Sequence, residues 1–120
     1  MAVPCLWEFK TMNNKAWIAT SNRGVAKAKP LYSAQIALYQ AYMEYHENPA
    51  LFMAVNKDTE EFYFELIPFD VKLAQSLSDK ALYIVQDTQA GYTFPRISTD
   101  PECFQCRFCD YKKRCWDEQA

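Results

Sequence analysis

Two stretches of this chain carry residue types that could do chemistry. The first is Leu6-Trp7-Glu8-Phe9-Lys10-Thr11. Residues two apart in a strand share a face, so Glu8 and Lys10 are expected to point one way, with Cys5, Trp7 and Phe9 on the other side. A carboxylate can hold a hard divalent cation through oxygen. A neighbouring ammonium can steady a water nucleophile or a developing phosphoryl charge. The same pair also reads as an ordinary ion pair at a sheet edge, and the tripeptide alone does not separate the two readings.

The second stretch places four thiols within thirteen residues, Cys103, Cys106, Cys109 and Cys115, at C-x2-C-x2-C-x5-C spacing. Thiolates at this density can converge on one soft centre, either zinc or an iron–sulfur cluster, and spacing alone leaves that choice open. Cys5 is remote from the group and is expected as a buried core thiol. Arg107, Lys112, Lys113 and Arg114 lie among the thiols. They read either as a solvated surface offset by nearby acids or as a basic patch facing a nucleic-acid backbone.

Composition bounds what these stretches can belong to. The chain has 120 residues, half of them apolar, only two glycines, and no repeat or low-complexity tract, as expected for one globular domain. A formal net charge of −2 gives no whole-molecule attraction to nucleic acid, so any such contact must be local. No run approaches the length of a membrane span and the start lacks a secretion signal, so a cytoplasmic protein with no membrane partner is expected. In that setting five cysteines point to metal ligation and not to disulfides.

A strand followed by helices must position the first group. Met12-Asn13-Asn14 reads as a helix start with asparagine as N-cap. Trp17, Ser21 and Val25 predict a short helix to about Asn22, although Ala16 to Thr20 also reads as a strand. Arg23-Gly24 breaks it. Lys27, Lys29 and Pro30 then form a basic connection, either a solvated linker or a phosphate contact. The clearest helix runs from Leu31 to His46, with Tyr32, Ile36, Tyr39 and Met43 on one face and Gln35 four residues before Tyr39. His46, the only histidine, suits the dipole at the end of that helix. Leu51–Val55 and Glu60–Ile67 predict a hairpin closed by Asn56-Lys57-Asp58-Thr59. Asp70 is placed to cap a second long helix whose buried stripe is Leu73, Leu77, Ala81, Ile84 and Thr88, ending at Ala90-Gly91. The aromatic residues fall mostly at core spacing and read as core, not as a base-stacking platform.

Taken together, Trp7-Glu8-Phe9-Lys10-Thr11 and the helix opening Lys29-Pro30-Leu31-Tyr32, with Gln35 and Tyr39, resemble the PD-(D/E)XK nuclease superfamily. The nearest likeness is its RecB-like branch of phage-encoded and CRISPR-associated exonucleases, some of which carry a cysteine-bound iron–sulfur cluster. The resemblance implies that Glu8 is a metal ligand, Lys10 the catalytic lysine, and Gln35 and Tyr39 the helix residues that position that site or the DNA. The family's terminal cysteine group resembles Cys106, Cys109 and Cys115, with Cys103 as a local fourth ligand whose close spacing favours zinc.

The pattern departs from the family in two respects. The family's fourth cluster cysteine commonly lies upstream of the nuclease core, where this sequence offers only Cys103 as a local substitute. The first catalytic aspartate is missing as well. None of the seven residues before Glu8 is an acid, so the family's first catalytic aspartate has no counterpart there. The resemblance therefore implies an α/β fold: part of a restriction-endonuclease-like core, a mixed sheet with flanking helices, over residues 1–100. A cysteine-bound tail over 101–120 completes it. It implies a Mg²⁺- or Mn²⁺-dependent DNA exonuclease, or else a catalytically inactive DNA- or protein-binding remnant held together by its cysteine-bound metal centre. DNA is the expected partner, and another chain is one of the sources that could supply the upstream part.

Overall fold

The computed structural model describes residues 3–117. Strand β1 (Trp7–Met12) pairs in parallel with β2 (Ala50–Asn56), and β2 pairs antiparallel with β3 (Phe62–Ile67). The result is a three-stranded mixed sheet in the order β1-β2-β3 with flanking helices, an α/β architecture. Parallel strands cannot be joined by a tight turn. The crossover here is made of helices α1 (Asn14–Arg23), α2 (Val25–Ala28) and α3 (Pro30–Tyr42). Beyond the hairpin come α4 (Val71–Gln89), α5 (Phe104–Arg107) and α6 (Lys112–Asp117). Two compact units result, residues 3–81 and 82–117 of those described, with the division inside α4.

Local chemistry sets each boundary of the crossover. Asn13 caps α1, its side-chain oxygen accepting the Ala16 N–H at 2.9 Å, as expected from the sequence. Asp58, from the hairpin turn, accepts the Asn14 N–H at 2.7 Å, and buried Asn56 donates to Asn14 Oδ1 at 2.9 Å. The start of α1 is thereby tied to the β2–β3 turn. Gly24 ends α1 with φ +79°, a conformation that side chains with a Cβ rarely adopt. Just after it, Glu65 from β3 accepts the Val25 N–H at 2.9 Å and the Tyr63 hydroxyl at 3.1 Å. Tyr63 responds as expected: burial, then the hydrogen bond to Glu65 and its negative charge, push its phenol above the usual value.

The core lies between the sheet and the crossover. Leu6, Met12, Val25, Ile36, Ala50, Phe52 and Ala54 form its buried cluster, with Trp17, Tyr32 and Tyr63 packed against it. Fully buried side chains such as Phe52, Ile36 and Val25 each contribute roughly 1.5–3 kcal/mol by leaving water.

Several details differ from the sequence reading. The connection after Gly24 is not a loose basic linker, because Val25 is fully buried and the next residues form a helical turn. Helix α3 stops at Tyr42, four residues before His46. Glu44 takes φ +60°, Tyr45 N–H bonds Gln40 C=O at 2.9 Å, and the helix is closed before the histidine. His46 instead sits exposed beyond it, its ring 5.7 Å from that of Phe69. The period of α3 was legible but its phase is shifted: Ile36, Ala37 and Gln40 are buried, while Tyr39 and Met43 are exposed. In α4, Leu73 and Leu77 are half-buried and Ala74 buried, but Ala81, Ile84 and Thr88 are exposed. Cys5 is exposed as well, not a core thiol. Many aromatics expected in the core are on the surface, among them Trp7, Phe9, Phe62 and Phe64. No helix among the described residues is long and apolar enough to cross a membrane.

Gly24→Ala is expected to cost about 1–3 kcal/mol, since it forces a Cβ into a backbone region reserved for glycine. That Cβ would also sit 3.4 Å from Glu65 Oε1. Urea unfolding of the two proteins measures the difference, and an unchanged midpoint would contradict this account of the α1–α2 break.

Candidate functional site

Strand alternation places Glu8 and Lys10 on the helix-covered face of the sheet, as the sequence predicts. The crossover brings α3 over them. Lys10 Nζ lies 2.7 Å from Glu8 Oε1, and their side chains are only 22% and 14% exposed. The same ammonium donates to Gln35 Oε1 at 3.1 Å, and Gln35 Nε2 donates to Tyr39 OH at 3.0 Å. Glu8, Lys10, Gln35 and Tyr39 thus form one unbroken chain of contacts across a strand and a helix. All four belong to the first compact unit.

Sequence reasoning missed one member. The ring of Tyr32 lies under Lys10, with Nζ 4.8 Å from its centroid. Tyr32 is three residues before Gln35, so helical spacing puts both on the side of α3 that faces β1. That spacing was the available signal, but Tyr32 entered the sequence reading only as part of the helix opening and of its apolar face, with no role at the site. Its contact matters because a cation over a ring keeps its position without being neutralised. Lys10 is therefore held from three directions: an acid, an amide oxygen and an aromatic face.

The donor set for a hard cation is small. Among the described residues no group of three or more His, Cys, Asp or Glu side chains converges. Glu65 shares the inner face but is engaged by Val25 and Tyr63. Glu8 remains, with one carboxylate oxygen toward Lys10. Magnesium is commonly held by one or two carboxylates together with substrate phosphates and water. The residues fit a dication in that sense alone: Glu8 is one ligand of a set that a phosphate would have to extend.

In the second unit the four tail thiols stand close in sequence and partly in space. Cys103 opens α5, Cys106 is buried within it, and Cys106, Cys109 and Cys115 all line one cavity of about 250 Å³. The Cys106 thiol donates to the Cys103 sulfur. That hydrogen bond, followed by the one from the Cys106 backbone, pulls Cys103 below the usual thiol range. Holding the shared proton pushes Cys106 up, and burial adds to the rise. Arg96 donates twice to Cys115 C=O, at 3.0 and 2.8 Å, which fixes the segment before the thiols to the helix after them. The donor type is right for a soft metal or cluster. Among the described residues, however, no three of these thiols form a group that could hold a metal ion, so the convergence that the spacing suggests is not present in this structure.

Of the basic residues in the tail, Lys112 is paired with Glu102. Arg96 stacks on Trp116, its guanidinium carbon 4.4 Å from the ring centroid. No protein-family model, curated protein or solved structure matches the chain.

In metal-free protein the Cys103 thiolate forms at lower pH than that of an ordinary thiol, so its alkylation is expected to rise at correspondingly lower pH. Cys106→Ala removes the donor and should return the Cys103 midpoint to the ordinary range. Residue-resolved mass spectrometry of iodoacetamide-treated protein across pH reads both. A Cys103 midpoint that does not move in the variant would contradict the shared-proton geometry.

Proposed function

We propose that this chain carries the Glu-x-Lys part of a metal-dependent DNA nuclease centre of the PD-(D/E)XK type, and that its reaction is phosphodiester hydrolysis. One observation carries the reading. The residues that the family resemblance singles out on a strand and on a distant helix, Glu8, Lys10, Gln35 and Tyr39, are joined by successive contacts of 2.7, 3.1 and 3.0 Å.

Each side chain then has a task. Glu8 is the carboxylate that would hold Mg²⁺ or Mn²⁺. The ion, when bound, supplies a water of lowered pKa and offsets phosphate charge. Lys10 places a fixed positive charge beside that carboxylate, where negative charge builds on a phosphoryl oxygen in the transition state. Gln35 and Tyr32 keep the ammonium in place when Glu8 turns its charge elsewhere, because neither depends on Glu8. Tyr39 fixes the orientation of the Gln35 amide, so that its oxygen and not its nitrogen faces Lys10. DNA is the proposed substrate, with zinc or an iron–sulfur cluster at Cys103, Cys106, Cys109 and Cys115 holding the tail. A further carboxylate from outside the described residues would strengthen the dication site.

The small donor set favours a second reading, in which the same network is a DNA- or protein-binding remnant without turnover. The two separate in one assay. On end-labelled single- and double-stranded DNA with Mn²⁺, the nuclease reading expects cleavage that falls by about a hundredfold or more in Lys10→Ala, the usual loss for one transition-state charge donor. No cleavage by folded protein would overturn the nuclease reading for this chain and leave the binding module. Metal analysis of purified protein is a separate check on the tail. Bound zinc or iron should be lost in Cys106→Ser and Cys115→Ser, and metal-free wild-type protein would contradict the centre.

A further inference from the structure

The sheet has a second face, and its composition differs sharply from the first. The registers align Trp7 with Leu51 and Leu66, Phe9 with Met53 and Phe64, and Thr11 with Val55 and Phe62. Eight of these nine residues are apolar and none is charged. No helix of the first unit packs on this side, since α1–α3 cover the other face and Ala74 and Ser78 of α4 line a groove with Leu38 and Tyr42 of α3. Trp7 is 63% exposed, Phe64 56% and Leu66 66%. A sheet with one solvated face ordinarily alternates apolar inside with polar outside. This one does not.

We propose that this face is a dimer interface whose occupant is the same face of a second copy. Area is the first argument. With aromatic side chains worth about 150–250 Å² each, the exposed parts of Trp7, Phe9, Phe62, Phe64 and Leu66 present on the order of 600 Å² per copy. A pair would bury about 1,200 Å², the lower bound of specific interfaces, and a patch of this size lies at the upper end of what a monomer exposes, where patches are often functional. Charge is the second. Two uncharged faces meet without repulsion, whereas nucleic acid would find no cation here to meet its phosphates. Shape is the third. The large rings stand on the outer strands and the half-buried Leu51, Met53 and Val55 lie on the central one, so the face has two ridges and a trough. A ridge of one copy can enter the trough of another, as inner faces interdigitate in stacked sheets about 10 Å apart. The Glu8–Lys10 side stays open in such a pair, so the interface stands or falls independently of the nuclease reading.

Sedimentation velocity and light scattering on the whole protein test this. At about 100 μM, above the micromolar Kd that an interface of this size can reach, the expected mass is twice the 14.0 kDa of one chain. Phe64→Lys should weaken association at least about tenfold by placing a charge in the apolar interface. Thr11→Lys, at an exposed polar position of the same face that the core does not need, should do the same with the circular dichroism of the wild type. Leu82→Lys, on exposed α4 surface, should leave the dimer intact. Wild-type protein with the mass of one chain at that concentration would overturn the proposal. So would a dimer that survives both Phe64→Lys and Thr11→Lys.

Discussion

The parallel pairing of β1 with β2 is the constraint on which the rest of the first unit depends. Once Trp7 lies beside Leu51 and Lys10 beside Ala54, the chain between residues 13 and 49 has to cross over the sheet. It can do so only by laying helices on one face. That crossing brings α3 above β1 and so brings Gln35, Tyr32 and Tyr39 to Lys10. Small Ala54, next to Lys10 in the register, leaves room over the sheet for the longer side chains that meet there. The charge network is thus a consequence of topology, and the pins that hold the crossover also hold the network. Those pins are Asn13 at its start, Asn56 and Asp58 from the turn, and Glu65 at the break after Gly24.

The two faces of the sheet carry opposite solutions to the same problem. On the inner face the polar groups of the strands are satisfied, whereas in the helices over it Trp17 Nε1 and Gln40 Oε1 are buried without a partner. Lys10 has an acid, an amide and a ring; Glu65 has a backbone N–H and a phenol; Asn56 has Asn14 and the Asp58 N–H. Burial without such partners would cost several kcal/mol for a charge. On the outer face polar groups are nearly absent, although solvent reaches it. Under the two proposals above, chemistry falls on one side and association on the other.

The sequence was most informative where pattern and chemistry coincide. Period-two alternation put Glu8 and Lys10 together and separated them from Trp7 and Phe9. Asn13, Gly24 and Asp70 announced helix boundaries because their side chains, or the lack of one, do the capping. It was least informative where an unlikely residue does the work of a likely one. Glu44 takes the left-handed position that closes α3, where glycine is usual, so the helix seemed to run on to His46. At the end of α4 the same closure uses Gly91 at φ +81°, and that end was legible. Spacing also cannot say whether an apolar face is covered. Trp7, Phe62 and Phe64 alternate as core residues do, yet nothing in the crossover reaches their side. Tyr32 was missed for a related reason, since a ring that holds a cation and a ring that fills a core have the same spacing.

The central claim is that Glu8, steadied beside Lys10, is where a dication meets DNA phosphate. Paramagnetic broadening by Mn²⁺ in amide-resolved NMR, with and without a phosphorothioate oligonucleotide that resists hydrolysis, locates that ion directly. The account predicts broadening centred on Glu8 to Lys10 and on the Gln35 side-chain amide, present with the oligonucleotide and much weaker without it. Broadening centred elsewhere, or none in the presence of both Mn²⁺ and DNA, would contradict it.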